Sequence, residues 1–268
     1  MAKKVFLLLV TFVMFCSVTL TASAEEDKSE SEDNVVVYEG QQYVKNNLSD
    51  ETLKWLEWYN GLSDELKETV SYVPSDLLTD SLYKTKEGAS EVTDFFDKNI
   101  QENISPFLAP TGGAEPSYDP DYWNNSSRIK KANCYYYAMQ VACNKEGIQY
   151  CQPGYLSGKT FTLSKDSIIK AVKADGPYLG NGRSIKKSKY SEQPASNQYK
   201  VVLFIAPGED YHWYIQNRDG YWSHKRGLSK VSNLDASGKK IKTPRKCDKD
   251  YGGGLNYSEF CGYYLVTR

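Results

Sequence analysis

Histidine is nearly absent from this 268-residue chain, which has only His212 and His224, and methionine is scarce at three residues. No Cys/His spacing of the zinc type occurs, so no metal site is expected. There is no Walker loop and no dinucleotide glycine fingerprint, so no cofactor is expected either. Long apolar runs are missing, with one exception. VFLLLVTFVMFCSVTL follows Lys3 and Lys4 and leads to Ala22-Ser23-Ala24, the pattern of a secretory signal peptide cut after Ala24. The run is short for a membrane span, and the residues before Cys16 lack the small side chains of a lipoprotein signal. Residues 1–24 are read as a signal peptide, with no membrane contact after its cleavage.

Five cysteines remain beyond it: Cys134, Cys143, Cys151, Cys247 and Cys261. Export permits disulfides, and an odd number leaves at least one thiol unpaired or paired between molecules. Net charge is −1, but acid and base are segregated. Residues 25–120 carry 22 Asp+Glu against 7 Lys+Arg, and residues 121–268 carry 12 against 24. This asymmetry suggests that an acidic arm docks on a basic domain, or that the basic surface meets an anionic partner. Basic surface with no interleaved stacking motif, on an exported chain, does not predict nucleic-acid binding.

Residues 25–104 are read as an acidic, mainly helical arm, either a removable pro-segment or a permanent spacer. Within it, EEDKSESEDN is too polar to fold, VVVYEGQQYV suggests a hairpin, and two or three short helices follow, with Ser49 or Asp50 and Ser63 at N-cap positions. Residues 105–126, rich in Pro, Gly, Ser and Asn, read as a linker. Residues 127–268 form the main domain. A helix is expected from Asn133 or Cys134 to about Lys145, and a second over about 164–175. YKVVLFIAP, YHWYIQN, YWSHK and FCGYYLVT then read as strands. Helices followed by antiparallel strands make an α+β fold.

Cysteine catalysis needs a thiolate, an imidazole base and a group that orients the imidazole. Cys134 at a helix N-terminus, His212 as base and His224 as orienter are the candidates, with Asn233 and Asp235 as alternative orienters. A two-residue turn at Asp219-Gly220 sets the histidines on opposite faces. A three-residue loop, Arg218-Asp219-Gly220, pairs Tyr214 with His224 and sets them on one face, and Gly220 suits its left-handed position. The competing use of Cys134 is a disulfide to Cys143 or Cys151. If Cys134 and Cys143 share one helix they are about 13 Å apart along its axis, too far to bond. Pairing Cys143–Cys151 and Cys247–Cys261 leaves Cys134 free.

At these residues the chain resembles the papain-like cysteine hydrolases of bacterial envelopes, the NlpC-type and CHAP-type amidase/peptidase group. Cys134-Tyr135-Tyr136-Tyr137-Ala138 is similar to their nucleophile segment, and His212 and His224 follow in the expected order on successive strands. The resemblance covers about residues 127–268. It implies a papain-like fold, with the catalytic helix packed on an antiparallel sheet. It also implies a secreted or wall-associated bacterial hydrolase that cleaves amide or peptide bonds through a thiol acyl-enzyme, with cell-wall peptide or another polypeptide as substrate. The alternative is an inert secreted module on the same fold, binding-type or bacteriocin-like.

Overall fold

The structure, a computed structural model, describes residues 34–78, 90–91 and 108–268. The expected signal peptide and the acidic residues 25–33 lie outside them, as do 79–89 and 92–107.

The arm begins with a hairpin of β1 (Val35–Tyr38) and β2 (Gln41–Val44), turned by Glu39 and Gly40 at φ 50° and 78°. Two consecutive left-handed residues match the right-handed twist of the strands they join. Helices α1 (Asp50–Asn60) and α2 (Asp64–Lys67) follow. Ser49 Oγ accepts from the Thr52 N–H and Ser63 Oγ from the Leu66 N–H, so both serines act as N-caps. The buried stripe of α1 is Thr52, Trp55, Leu56 and Tyr59. Trp55 stacks on Tyr59 with ring centroids 4.7 Å apart and donates from Nε1 to the Glu209 carbonyl at 2.8 Å.

Between α2 and the main sheet lie β3 (Ser90–Glu91), α3 (Pro120–Trp123), α4 (Cys134–Met139), β4 (Val141–Ala142) and α5 (Lys165–Asp175). The helix expected to reach Lys145 stops at Met139. Gln140 turns into the left-handed region at φ 54°, and the chain leaves as β4, paired with β3. Cys134 and Cys143 therefore do not share a helix. The stretch read as linker lies against the sheet: the Ala114 N–H donates to Gln198 O and Lys200 Nζ to Pro110 O, each at 2.7 Å. Gly113 is required there, since a Cβ would stand 2.0 Å from the Gln198 carbonyl oxygen.

Strands β5 (Ser184–Ser188), β6 (Gln198–Ala206), β7 (Asp210–Gln216), β8 (Trp222–Lys225), β9 (Val231–Ser232) and β10 (Glu259–Thr267) form one six-stranded sheet. All its pairings are antiparallel, in the order β5-β10-β6-β7-β8-β9, so the last strand inserts between β5 and β6. The fold is thus mixed helix and sheet around one antiparallel sheet. Strand alternation gives β7 two distinct faces. Tyr211, Trp213 and Ile215 belong to the helical side: Asn133 Nδ2 donates to the Tyr211 hydroxyl at 3.0 Å, and Tyr137 bonds Ser223, the neighbour of Ile215, at 2.7 Å. His212 and Tyr214 belong to the other side, covered by Tyr251 and Tyr257 of the long segment before β10.

Candidate functional site

The hairpin of β7 and β8 has the three-residue loop. Tyr214 pairs with His224, the Asn217 N–H donates to the Tyr221 carbonyl at 2.8 Å, and Gly220 sits at φ 80°. The two imidazoles share a face, and His212 Nε2 lies 2.7 Å from His224 Nδ1. His224 Nε2 is 2.9 Å from the Leu234 carbonyl oxygen. A carbonyl only accepts, so His224 carries its proton on Nε2 and receives one at Nδ1 from His212 Nε2. Two neutral rings thus form a directed chain, His212 to His224 to Leu234. The orienter is a backbone carbonyl, invisible to a search of side-chain types. Asn233 and Asp235 do not hydrogen-bond either ring. Asp235 instead organises its own loop, accepting from the Lys239 and Asp248 N–H groups at 2.9 and 3.2 Å.

Both imidazoles are buried, His212 completely. Burial first, then the charges of His224 and Arg226, hold His212 well below the usual imidazole range. Burial lowers His224 to about 4. The pair is walled by aromatics: His224 stacks on Tyr214 at 4.9 Å between centroids, and Tyr257 lies 4.8 Å from His212. This is an imidazole core inside an aromatic layer.

Cys134 forms no hydrogen bond with either ring. The thiol heads α4, and its Sγ lies 3.6 Å from the Tyr211 backbone carbonyl, beside the residue that carries the His212 ring. The orphan N–H groups at the start of α4, which favour a thiolate, are already taken: Asn133 Oδ1 accepts from Tyr135 and Tyr136 at 3.0 and 3.1 Å. Burial, then the charge of Asp210, push the Cys134 thiol far above its ordinary value. It is a neutral core thiol.

Residues of the arm close over it. The Ser71 N–H donates to both carboxylate oxygens of Asp210 at 3.1 and 3.0 Å, and Tyr257 donates to the same group at 2.9 Å. Gln152 Nε2 donates to Ser71 O at 2.6 Å, and the Leu228 N–H to Glu68 O at 2.9 Å. Asp210 and Ser71 escaped the sequence reading because they lie 139 residues apart along the chain. The expected disulfides Cys143–Cys151 and Cys247–Cys261 are absent, all five described cysteines being free. Each of these thiols has its own local contact: Cys143 with the Lys145 N–H, Cys151 with Gly147 O, Cys247 with Pro244 O and Cys261 with Glu259 O.

No family model and no solved structure matches the chain. Insoluble matrix shell protein 1 of Ruditapes philippinarum is 32% identical over 150 residues, a match spanning 56% of this chain and 88% of that protein. The chain belongs to that protein's family. Membership overturns the expected secreted cysteine hydrolase, and with it the peptidase and amidase chemistry: the relative is a matrix protein of a mollusc shell. The bacterial origin finds no support, and among the described residues no helix is long and apolar enough to cross a membrane. Cys134, His212 and His224 are all buried, and no hydrogen bond joins the thiol to either ring.

Proposed function

We propose that this chain is a secreted, non-enzymatic structural protein of an extracellular matrix. The observation that carries the reading is its membership of the family of insoluble matrix shell protein 1. The Cys134 and histidine environments support it, since buried neutral groups with local partners add rigidity rather than chemistry. In this reading residues 34–78 are a permanent layer of the fold, because Trp55, Glu68 and Ser71 all bond to the C-terminal part. The order of elements, a Cys-bearing helix before an antiparallel sheet, is the one a papain-like layout has. The signal-peptide pattern of residues 1–24 supplies the route out of the cell.

Sequential extraction tests the proposal. Extracellular material from the source is washed with water, salt and detergent, and the protein is followed by antibody. It is expected in the residue that resists all three. Complete recovery in the aqueous wash contradicts a structural role.

A further inference from the structure

A cleft of about 530 Å3 opens beside His224, where β8 and β9 meet the loop that follows β9. Its wall carries two cations, Arg226 and Lys230. The Arg226 guanidinium lies over the Tyr251 ring, 4.1 Å from the centroid, and Lys230 is exposed. Among the described residues, neither forms a salt bridge. The turn that carries both is pinned from within. The Ser229 N–H and hydroxyl donate to the Arg226 carbonyl at 2.9 and 2.7 Å. The buried Lys225 Nζ donates to Gly227 O and Ser229 O at 3.2 and 2.6 Å. A guanidinium laid on an aromatic ring keeps its in-plane N–H donors for a carboxylate or a sulfate.

The acid on the same wall does not neutralise these cations, because it is committed to its own loop. Asp235 Oδ1 accepts from the Ser237 N–H and hydroxyl and from the Lys239 N–H, at 3.1, 2.9 and 2.9 Å. Asp235 Oδ2 accepts from the Asp248 N–H at 3.2 Å, which leaves that oxygen capacity for a further donor such as a hydroxyl. Leu234, the next residue back, lines the cleft and is 43% exposed, unusual for a large apolar side chain in this fold. Unpaired cations, a spare acceptor and an apolar wall thus converge on one concavity. A free inorganic anion uses only the first of these. A sugar ring that bears an anionic group uses all three, and the volume falls within the range of small-ligand sites, roughly 300–1,000 Å3.

We propose that this cleft binds one acidic sugar unit of an extracellular polysaccharide. Arg226 and Lys230 take its carboxylate or sulfate, Asp235 accepts from a ring hydroxyl, and Leu234 covers an apolar face of the ring. The proposal rests on the structural-matrix reading for the source of the polysaccharide, and it names the class of matrix component that the protein holds.

The test is titration calorimetry on the chain from Glu25 onward in about 150 mM salt. Four oligomers are compared: a glucuronate sugar, a sulfated sugar, an uncharged sugar and oligoglutamate. At least one charged sugar is expected to bind, and neither the uncharged sugar nor oligoglutamate. Which charged sugar binds identifies the anionic group. Arg226→Gln should weaken binding roughly tenfold or more, the loss of a hydrogen bond to a charged group. Lys230→Glu should weaken it as well, and carries the test should Arg226→Gln fail to fold, since Lys230 is exposed and outside any salt bridge of the described residues. Lys173→Glu, the same change of charge on α5 outside the cleft, should bind like the parent. Oligoglutamate binding as tightly as the charged sugars overturns the assignment to a sugar. Failure of both charged sugars to bind, or equal binding by the parent and Lys230→Glu, overturns the cleft as the site. Each of these failures leaves the structural-matrix reading standing, because that reading is decided by extraction and not by a ligand.

Discussion

Replacing His224 by glutamine separates the imidazole core from every other source of pH dependence. The substitution keeps an acceptor for His212 and a donor for Leu234 O, the two partners that His224 has in the fold. His224 is lowered from 6.5 to about 4, so over that interval the unfolded chain binds a proton that the folded chain refuses. The stabilisation is complete above pH 6.5 and is lost as pH falls toward 4. Integrated to pH 4, the loss is about 3 kcal/mol. Asp210 acts in the opposite sense. Its carboxyl is raised from 3.8 to about 7, chiefly by burial, so its stabilisation is full below 3.8 and lost as pH rises through 7. That loss is about 4 kcal/mol by pH 7. The two terms have opposite signs, so the comparison with His224→Gln, not the wild-type profile alone, isolates the histidine. Urea denaturation of both proteins at four pH values in that range gives the difference directly. The advantage of wild type over His224→Gln should shrink by about 3 kcal/mol from pH 7 to pH 4. A pH-independent difference would refute the claim that His224 is held neutral by burial.

Asp210→Asn is the converse variant: relative to wild type it should gain stability as pH rises from 4 to 7, and the same denaturation series reads it. Trp55→Ala removes a side chain 2% exposed that stacks on Tyr59 and donates to Glu209 O, and should cost about 3–5 kcal/mol. Amide exchange in that variant should accelerate at Ser71, where the arm lies on Asp210. A change confined to α1 would mean that the arm is not held as one layer. Gly113→Ala should also destabilise, because its Cβ meets the Gln198 carbonyl, and a denaturation midpoint equal to wild type would refute that close approach.

Much of the local structure was legible because local rules decide it. Ser49 and Ser63 cap helices at their expected positions, and Gly220 sets the three-residue loop that brings the imidazoles together. The continuous apolar run Val201–Ala206 lies in a strand with neighbours on both sides. What stayed hidden depends on which distant pieces meet. The alternation of β7 says that His212 and Trp213 face opposite ways, but not which face α4 covers. Nor does it say that Ser71 of the arm and Tyr257 of the last loop close over Asp210 and His212. The early end of α4 was also unreadable, since Gln140 is not a residue that ordinarily takes the left-handed conformation. Strand order was equally silent, because a two-residue period carries no information about neighbours. The expected hydrolase rested on residue types in order, and residue types do not report burial.

The central claim is that Cys134 belongs to a neutral core and not to a reactive centre, and its thiol reactivity tests this most directly. The folded, unreduced protein is treated with a thiol reagent at mildly acidic pH, and modification of each cysteine is followed by mass spectrometry. Cys134 is expected to stay unmodified until denaturant unfolds the chain, and to react then at the rate of an ordinary thiol. Rapid, selective modification of Cys134 in the folded protein, suppressed by His212→Ala, would contradict the account.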